Sequence, residues 1–172
     1  GGAAQSNEGS AYALTVGAIT DPGTDAVTQW RVDWNDGSPV ETFTAPPGVL
    51  THTFAEGPAQ RTITVAVVDE DGVHLVAGSR VVNVQNVAPI VDAGADVTVD
   101  SGSTVAHTGS FTDPGVDTWT AEVDYGDGAG FVPLALMSNN QFVLSLHYTT
   151  PGTRTVQVRV TEANDLDAAK KA

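Results

Sequence analysis

The sequence predicts an all-β chain of two tandem β-sandwich domains, and three observations carry that prediction. Apolar residues alternate with polar or small ones in short runs, the period of a half-buried strand. Ile63, Val65 and Val67 alternate with Thr62, Thr64 and Ala66, and Val156, Val158 and Val160 alternate with Thr155, Gln157 and Arg159. Turn-forming clusters punctuate the chain, among them Asn35-Asp36-Gly37, Pro46-Pro47-Gly48, Glu56-Gly57-Pro58, Asp71-Gly72, Asp127-Gly128 and Pro151-Gly152. Short strands at that spacing form sandwiches rather than βαβ units.

The third observation is a repeat. Thr20-Asp21-Pro22-Gly23-Thr24-Asp25 recurs as Thr112-Asp113-Pro114-Gly115-Val116-Asp117. Val32-Asp33-Trp34-Asn35-Asp36-Gly37 recurs as Val123-Asp124-Tyr125-Gly126-Asp127-Gly128, and Arg61–Val65 recurs as Arg154–Val158. The offsets of 92, 91 and 93 residues, in unchanged order, mark two copies of one domain. The boundary is expected between Val84 and Pro89, giving domains at 1–85 and 86–165 and a tail at 166–172. Asn86-Val87-Ala88-Pro89 has no Gly/Ser tract and reads as a short, semi-rigid joint. The second copy opens with Pro89–Val99, which has no full counterpart before Glu8, so the first copy is expected to have an incomplete first strand. Gly1–Ala4 and Ala168–Ala172 are expected to be weakly structured ends.

Composition narrows the chemistry. The 172 residues include no Cys, which excludes a disulfide framework, a thiol nucleophile and Cys-based metal sites. Twenty-one acids against seven Lys and Arg give a net charge of −14. That balance argues against phosphate-driven nucleic-acid binding and against docking on an anionic membrane. No apolar run approaches the ~18 residues of a membrane span. Both lysines, Lys170 and Lys171, lie at the end, so Arg31, Arg61, Arg80, Arg154 and Arg159 are the fixed side-chain cations of the body. Such an excess of acid is self-repelling unless salt or bound cations offset it.

The repeated residues resemble the polycystic-kidney-disease (PKD) domain, an immunoglobulin-like sandwich of large secreted and surface proteins. In the second copy the resemblance rests on Asn86–Gly94, Phe111-Thr112-Asp113-Pro114-Gly115, Val123–Gly128 and an alternating strand at Thr155–Thr161. In the first copy it rests on Trp34-Asn35-Asp36-Gly37, His52-Thr53-Phe54 and Val67–Gly72, and together the two copies span about residues 8–165. The family motif Trp-Asp-Phe-Gly-Asp-Gly is altered here: Val32 and Val123 stand at the Trp position, and Asn35 replaces the first Gly. The expected fold is therefore two tandem immunoglobulin-like (PKD-like) sandwiches, with each Asp-Gly pair in a tight hairpin turn.

Catalytic templates are missing. There is no Gly-x-Ser-x-Gly elbow, His-Glu-x-x-His pair or P-loop, and no enzymatic role is expected. The resemblance implies calcium, held in PKD-like modules by an Asn at the domain start and acids in the loop after an early strand. Carried onto this sequence, those positions are Asn86, Asp113 and Asp117. Asp69 and Asp71 close the first copy and are expected near the same joint, and Asp21 and Asp25 are the first copy's counterparts, without a matching Asn. The competing reading makes Asp113-Pro114-Gly115 a plain turn with Asp capping its own backbone. His52 and His147 stand at similar places in the two copies and read as structural, while His74 and His107 have no partner in sequence. Trp30, Trp34 and Trp119 read as core, or as a sugar-binding platform if exposed.

Three functions follow. The first is a non-catalytic extracellular or cell-surface spacer, structural or adhesive, with calcium as a rigidifying cofactor and neighbouring domains of the same chain as partners. The second is an accessory module of a secreted hydrolase that binds a polysaccharide or a protein, such as a cell-surface glycan. The third is a self-assembling surface-layer or fibre unit, since open sandwich edges can pair. None involves nucleic acid or membrane insertion.

Overall fold

The computed structural model describes residues 1–19 and 26–163, all in strands, turns and loops. The chain divides into two compact units, Gly1–Val87 and Ala88–Ala172.

The first unit holds seven strands among the described residues: β1 (Gln5–Asn7), β2 (Ala11–Thr15), β3 (Gln29–Asp33), β4 (Glu41–Phe43), β5 (Val49–Thr53), β6 (Ala59–Asp69) and β7 (Gly72–Gln85). One sheet runs in the order β1-β7-β6-β3-β4, and the other pairs β2 with β5. β6 and β7 form the long hairpin that the alternation at Thr62–Val67 foreshadows, antiparallel from Asp69↔Gly72 to Ala59↔Val84. The inward residues of the two sheets meet in a core of Tyr12, Leu14, Val32, Trp34, Phe54, Ile63, Val82 and Val84. Val82 and Val84, on β7, are fully buried. Burial of a Val side chain is worth about 1.5–3 kcal/mol, so the last strand contributes core as well as hydrogen bonds.

The opening residues differ from expectation. Gly1–Ala4 are tied down: the Gly1 ammonium donates to Thr15 O, Thr15 N–H donates to Gly1 O (2.6 Å), and Asn83 N–H donates to Ala4 O (2.9 Å). The Tyr12 hydroxyl donates to Ala3 O at 3.0 Å. The segment thus bonds first to β2 in one sheet and then, as β1, runs parallel to β7 in the other. Backbone pairing holds what side chains of Gly and Ala cannot. The expected tail at 168–172, like Asp21 and Asp25, lies outside the described residues.

The second unit holds β8 (Ile90–Asp92), β9 (Thr104–Thr112), β10 (Trp119–Asp124), β11 (Val132–Leu134), β12 (Gln141–His147) and β13 (Gln157–Glu162). Its sheets are β11-β10-β13 and β12-β9-β8. β9 to β13 repeat β2 to β6 in order, and β8 is the extra opening strand anticipated from Pro89–Val99. Val123, Phe142, Leu144 and Leu146 form the buried core. The alternation at Thr155–Thr161 predicts a strand there, but strand structure begins at Gln157. Thr155 and Val156 precede it and pair with no strand among the described residues.

Candidate functional site

The repeated Asp-rich motif is built the same way in both units. Asp33 Oδ1 accepts the Asn35 N–H (2.8 Å), and Asp124 Oδ1 accepts the Gly126 N–H (2.8 Å). Two residues on, Asp36 Oδ1 accepts the Ser38 N–H (3.0 Å), and Asp127 Oδ1 accepts the Ala129 N–H (2.9 Å). Each copy therefore carries two successive Asx turns at the end of its third sandwich strand. One of the departures from the family pattern, Asn35 in place of Gly, is explained by geometry. Asn35 and Gly126 occupy the same left-handed position, at φ 59° and 68°, which Asn tolerates better than other side-chain-bearing residues. Asn35 Nδ2 also reaches Thr62 O at 3.3 Å.

The first unit adds a network of its own. The His52 ring stacks on Trp34 at 4.4 Å and 8° between planes, and its Nε2 lies 2.6 Å from Asp36 Oδ2. Trp34 Nε1 donates to Glu41 Oε1 at 2.7 Å, and Ser38 Oγ donates to Asp36 Oδ1 at 2.6 Å. Partial burial pushes the Asp36 carboxyl up, but hydrogen bonds from the Ser38 hydroxyl, His52 and the Ser38 backbone outweigh it and hold the group down at about 2. His52 is thus a structural residue on β5.

The expected cation ligands fall in different settings. Asp69 is occupied by its hairpin: Oδ1 accepts the N–H groups of Asp71 (3.0 Å) and Gly72 (3.1 Å), and Oδ2 pairs with His74 Nε2 (2.7 Å). His74, without a partner in sequence, has one in space. Asp71 is exposed beside it, and Asn86 is half-buried in the first unit, just past β7.

Asp113 and Asp117 lie together in the second unit, in the loop between β9 and β10. Carboxylate oxygens of the two approach within 4.8 Å of each other. Asp113 Oδ1 accepts the Gly115 N–H at 2.7 Å, so the turn reading of Asp113-Pro114-Gly115 is correct as far as it goes. Asp113 Oδ2 is buried and receives no hydrogen bond among the described residues. Asp117 is 7 % exposed. The carboxylate oxygens of Asp113 and Asp117 are hard donors, the type that calcium takes.

Two buried acids escape a reading by sequence. Glu8, fully buried, accepts the N–H groups of Gly57 (2.6 Å) and Val87 (2.7 Å) and so pins the entry to β6 and the exit from β7. Glu162, at the end of β13, is also buried. Neither sits in a motif; Asn7-Glu8-Gly9 looks like any polar turn. Trp30 and Trp34 are core residues on one face of β3 and just beyond it, and Trp119 is half-buried with its ring edge-on to Phe111 at 5.2 Å.

Residues 86–172, just over half of the chain, match the PKD domain. The chain belongs to the PKD domain family. No curated protein matches it. Among solved structures it is similar to the fibronectin(III)-like modules of Clostridium thermocellum CbhA, at 13% identity and a TM-score of 0.37, over 94% of this chain and 82% of that one. It is also similar to the chitinase ChiA74 of Bacillus thuringiensis, at 17% identity and a TM-score of 0.32, over 95% of this chain but 26% of the chitinase. PKD membership accounts for the architecture of the second unit, and the repeated Asx turns extend the same design to the first.

Proposed function

We propose that this PKD chain is a non-catalytic extracellular spacer, structural or adhesive, whose second unit is tightened by calcium at Asp113 and Asp117. The observation that carries the spacer reading is the fate of the repeated motif. Asp33, Asp36, Asp124 and Asp127 each accept a backbone N–H, so the most distinctive acids in the sequence build turns. The calcium reading is supported by the buried Asp113 Oδ2 beside Asp117 and by the chain's net charge of −14. A bound divalent cation offsets part of that negative charge and ties the β9–β10 loop to itself. Ligand linkage at calcium 100-fold above its Kd adds about 2.7 kcal/mol. Scanning calorimetry of the full chain in millimolar calcium and in EDTA tests this: the melting transition of the second unit is expected to rise in calcium and fall in EDTA. Identical traces would remove calcium from the account and leave the spacer reading to be judged by binding assays. Retention on insoluble glycans would instead favour an accessory binding module.

A further inference from the structure

The end of the first unit is bound to its beginning by backbone. β1 and β7 run parallel, from Gln5↔Asn83 to Asn7↔Gln85. Asn83 N–H donates to Ala4 O and Glu8 N–H to Gln85 O, both at 2.9 Å, one at each end of that ladder. Glu8 comes directly after β1, and its side chain carries the row of bonds beyond the strands. Oε1 accepts the Val87 N–H at 2.7 Å, two residues past β7. Oε2 accepts the Gly57 N–H at 2.6 Å, in the loop between β5 and β6. Gly57 is pressed against the same exit: a Cβ there would lie 2.8 Å from Asn86 N and 2.9 Å from Gln85 O. Gly9 N–H donates to Phe54 O at 2.8 Å, which ties the turn after β1 to the chain leaving β5.

Strand direction gives this cluster a mechanical meaning. β1 lies on the amino side of the unit, and β7 leads out of it toward Val87. Tension along the chain therefore draws two parallel strands past each other along their length. The evenly spaced bonds between them are then loaded together, not one after another. A pull on the connector reaches Val87 first, and Val87 is bonded to the Glu8 carboxylate. From there the load spreads to the turn after β1 and, through Gly57 and Gly9, to the β5 side of the sandwich. The acceptor has to be a carboxylate. Two N–H donors converge on one side chain, and a Gln would meet them with one oxygen and one NH2. Bonds to an ionised acceptor are roughly twice as strong as neutral ones, and Glu8 is fully buried, so water does not compete for them.

We propose that Glu8 is a tension clasp: its carboxylate closes the exit of the first unit against a pull transmitted along the chain. A buried acid in an unremarkable polar turn thereby makes the β1–β7 pair a force-bearing joint. The inference takes its use from the spacer reading. Its mechanics rest on contacts within the first unit and are independent of calcium.

The test is single-molecule stretching of the full 172-residue chain in EDTA, with handles at its amino and carboxyl ends. Glu8→Gln should speed unfolding of the first unit at a given load about tenfold or more, since a buried bond to a charged group is worth at least that factor. Val87→Pro removes one donor and keeps Glu8, and it serves as the second probe where Glu8→Gln does not fold. The same effect is expected of it. Direction is the sharper control. The chain has no Cys, so Ser10→Cys offers a unique handle at an exposed residue just past Glu8. Pulled from there and from the carboxyl end, β7 is peeled from β1 bond by bond. The unit should then yield at a clearly lower force, and Glu8→Gln should matter less. Equal forces in the two directions would overturn the proposal, as would a Glu8→Gln chain that melts lower but unfolds no faster under end-to-end load. Failure of the spacer reading would show in the binding assays and leave these rates unchanged.

Discussion

Substituting Gly126 with alanine probes the repeated turn at its tightest point. Gly126 sits at φ 68°, and a Cβ built there would lie 2.6 Å from Thr155 O and 3.2 Å from Thr155 N, both backbone atoms. The left-handed backbone costs a non-glycine residue about 1–2 kcal/mol. Overpacking against a backbone that must move adds about 1–3 kcal/mol. Gly126→Ala is therefore expected to destabilise the second unit by roughly 2–5 kcal/mol, a drop of about 8–40 °C at roughly 4–8 °C per kcal/mol for a domain of this size. Asn35 is the internal control. Its φ is the same, but its side chain already fits and donates a long hydrogen bond to Thr62 O. Asn35→Ala should cost the first unit about 1–2 kcal/mol, and Asn35→Gly only a few tenths. Scanning calorimetry of the full chain, with urea melts to check cooperativity, measures all three. If Gly126→Ala were tolerated as well as Asn35→Gly, the shared-turn explanation of the motif would be wrong.

Other consequences are as direct. Trp34→Ala removes the centre of the first core and should cost about 3–5 kcal/mol, while Trp34→Phe, which keeps an aromatic ring but leaves a smaller cavity and drops the bond to Glu41, should cost about 1–3 kcal/mol in the same melts. Gly109→Ala would place a Cβ 2.4 Å from the buried Phe142 ring and 2.8 Å from Asp92 O, and should lower the second transition by roughly 1–3 kcal/mol and loosen β8 in hydrogen exchange. Asp36 titrates at about 2 in the fold against an ordinary 3.8. Its stabilising contribution is thus complete above the ordinary value and lost as pH falls toward the folded one. Urea midpoints between pH 5 and pH 2 should decline across that window, and Asp36→Asn should flatten the decline.

The strands with a polar and an apolar face were legible because period two is written in the side chains, as at Thr62–Val67. The turns were legible because Asp, Asn and Gly serve conformations that other residues resist. What the sequence does not carry is partnership. Thr155 and Val156 alternate as well as Thr62 and Ile63 do, but a strand needs a neighbour: β7 pairs with Thr62 and Ile63, and among the described residues nothing pairs with Thr155 and Val156. For the same reason Gly1–Ala4 read as a loose end and are held by backbone pairing instead. Of the candidate acids, Asp69 and Asp113 share a composition and a turn context. Only the three-dimensional hydrogen bonding separates Asp69, with both oxygens engaged, from Asp113, whose Oδ2 is buried without a hydrogen bond among the described residues. Glu8 had no signal at all, since its partners are backbone amides of residues 57 and 87.

The proposed division of the acids into turn builders and calcium ligands is best tested by calcium-dependent calorimetry on two paired variants, D113N/D117N and D124N/D127N. The first pair should abolish the calcium-induced rise in melting temperature while leaving the melt in EDTA unchanged or higher. The second should lower melting in both buffers and keep the calcium shift. The reverse pattern, with the shift lost in D124N/D127N and retained in D113N/D117N, would contradict the account.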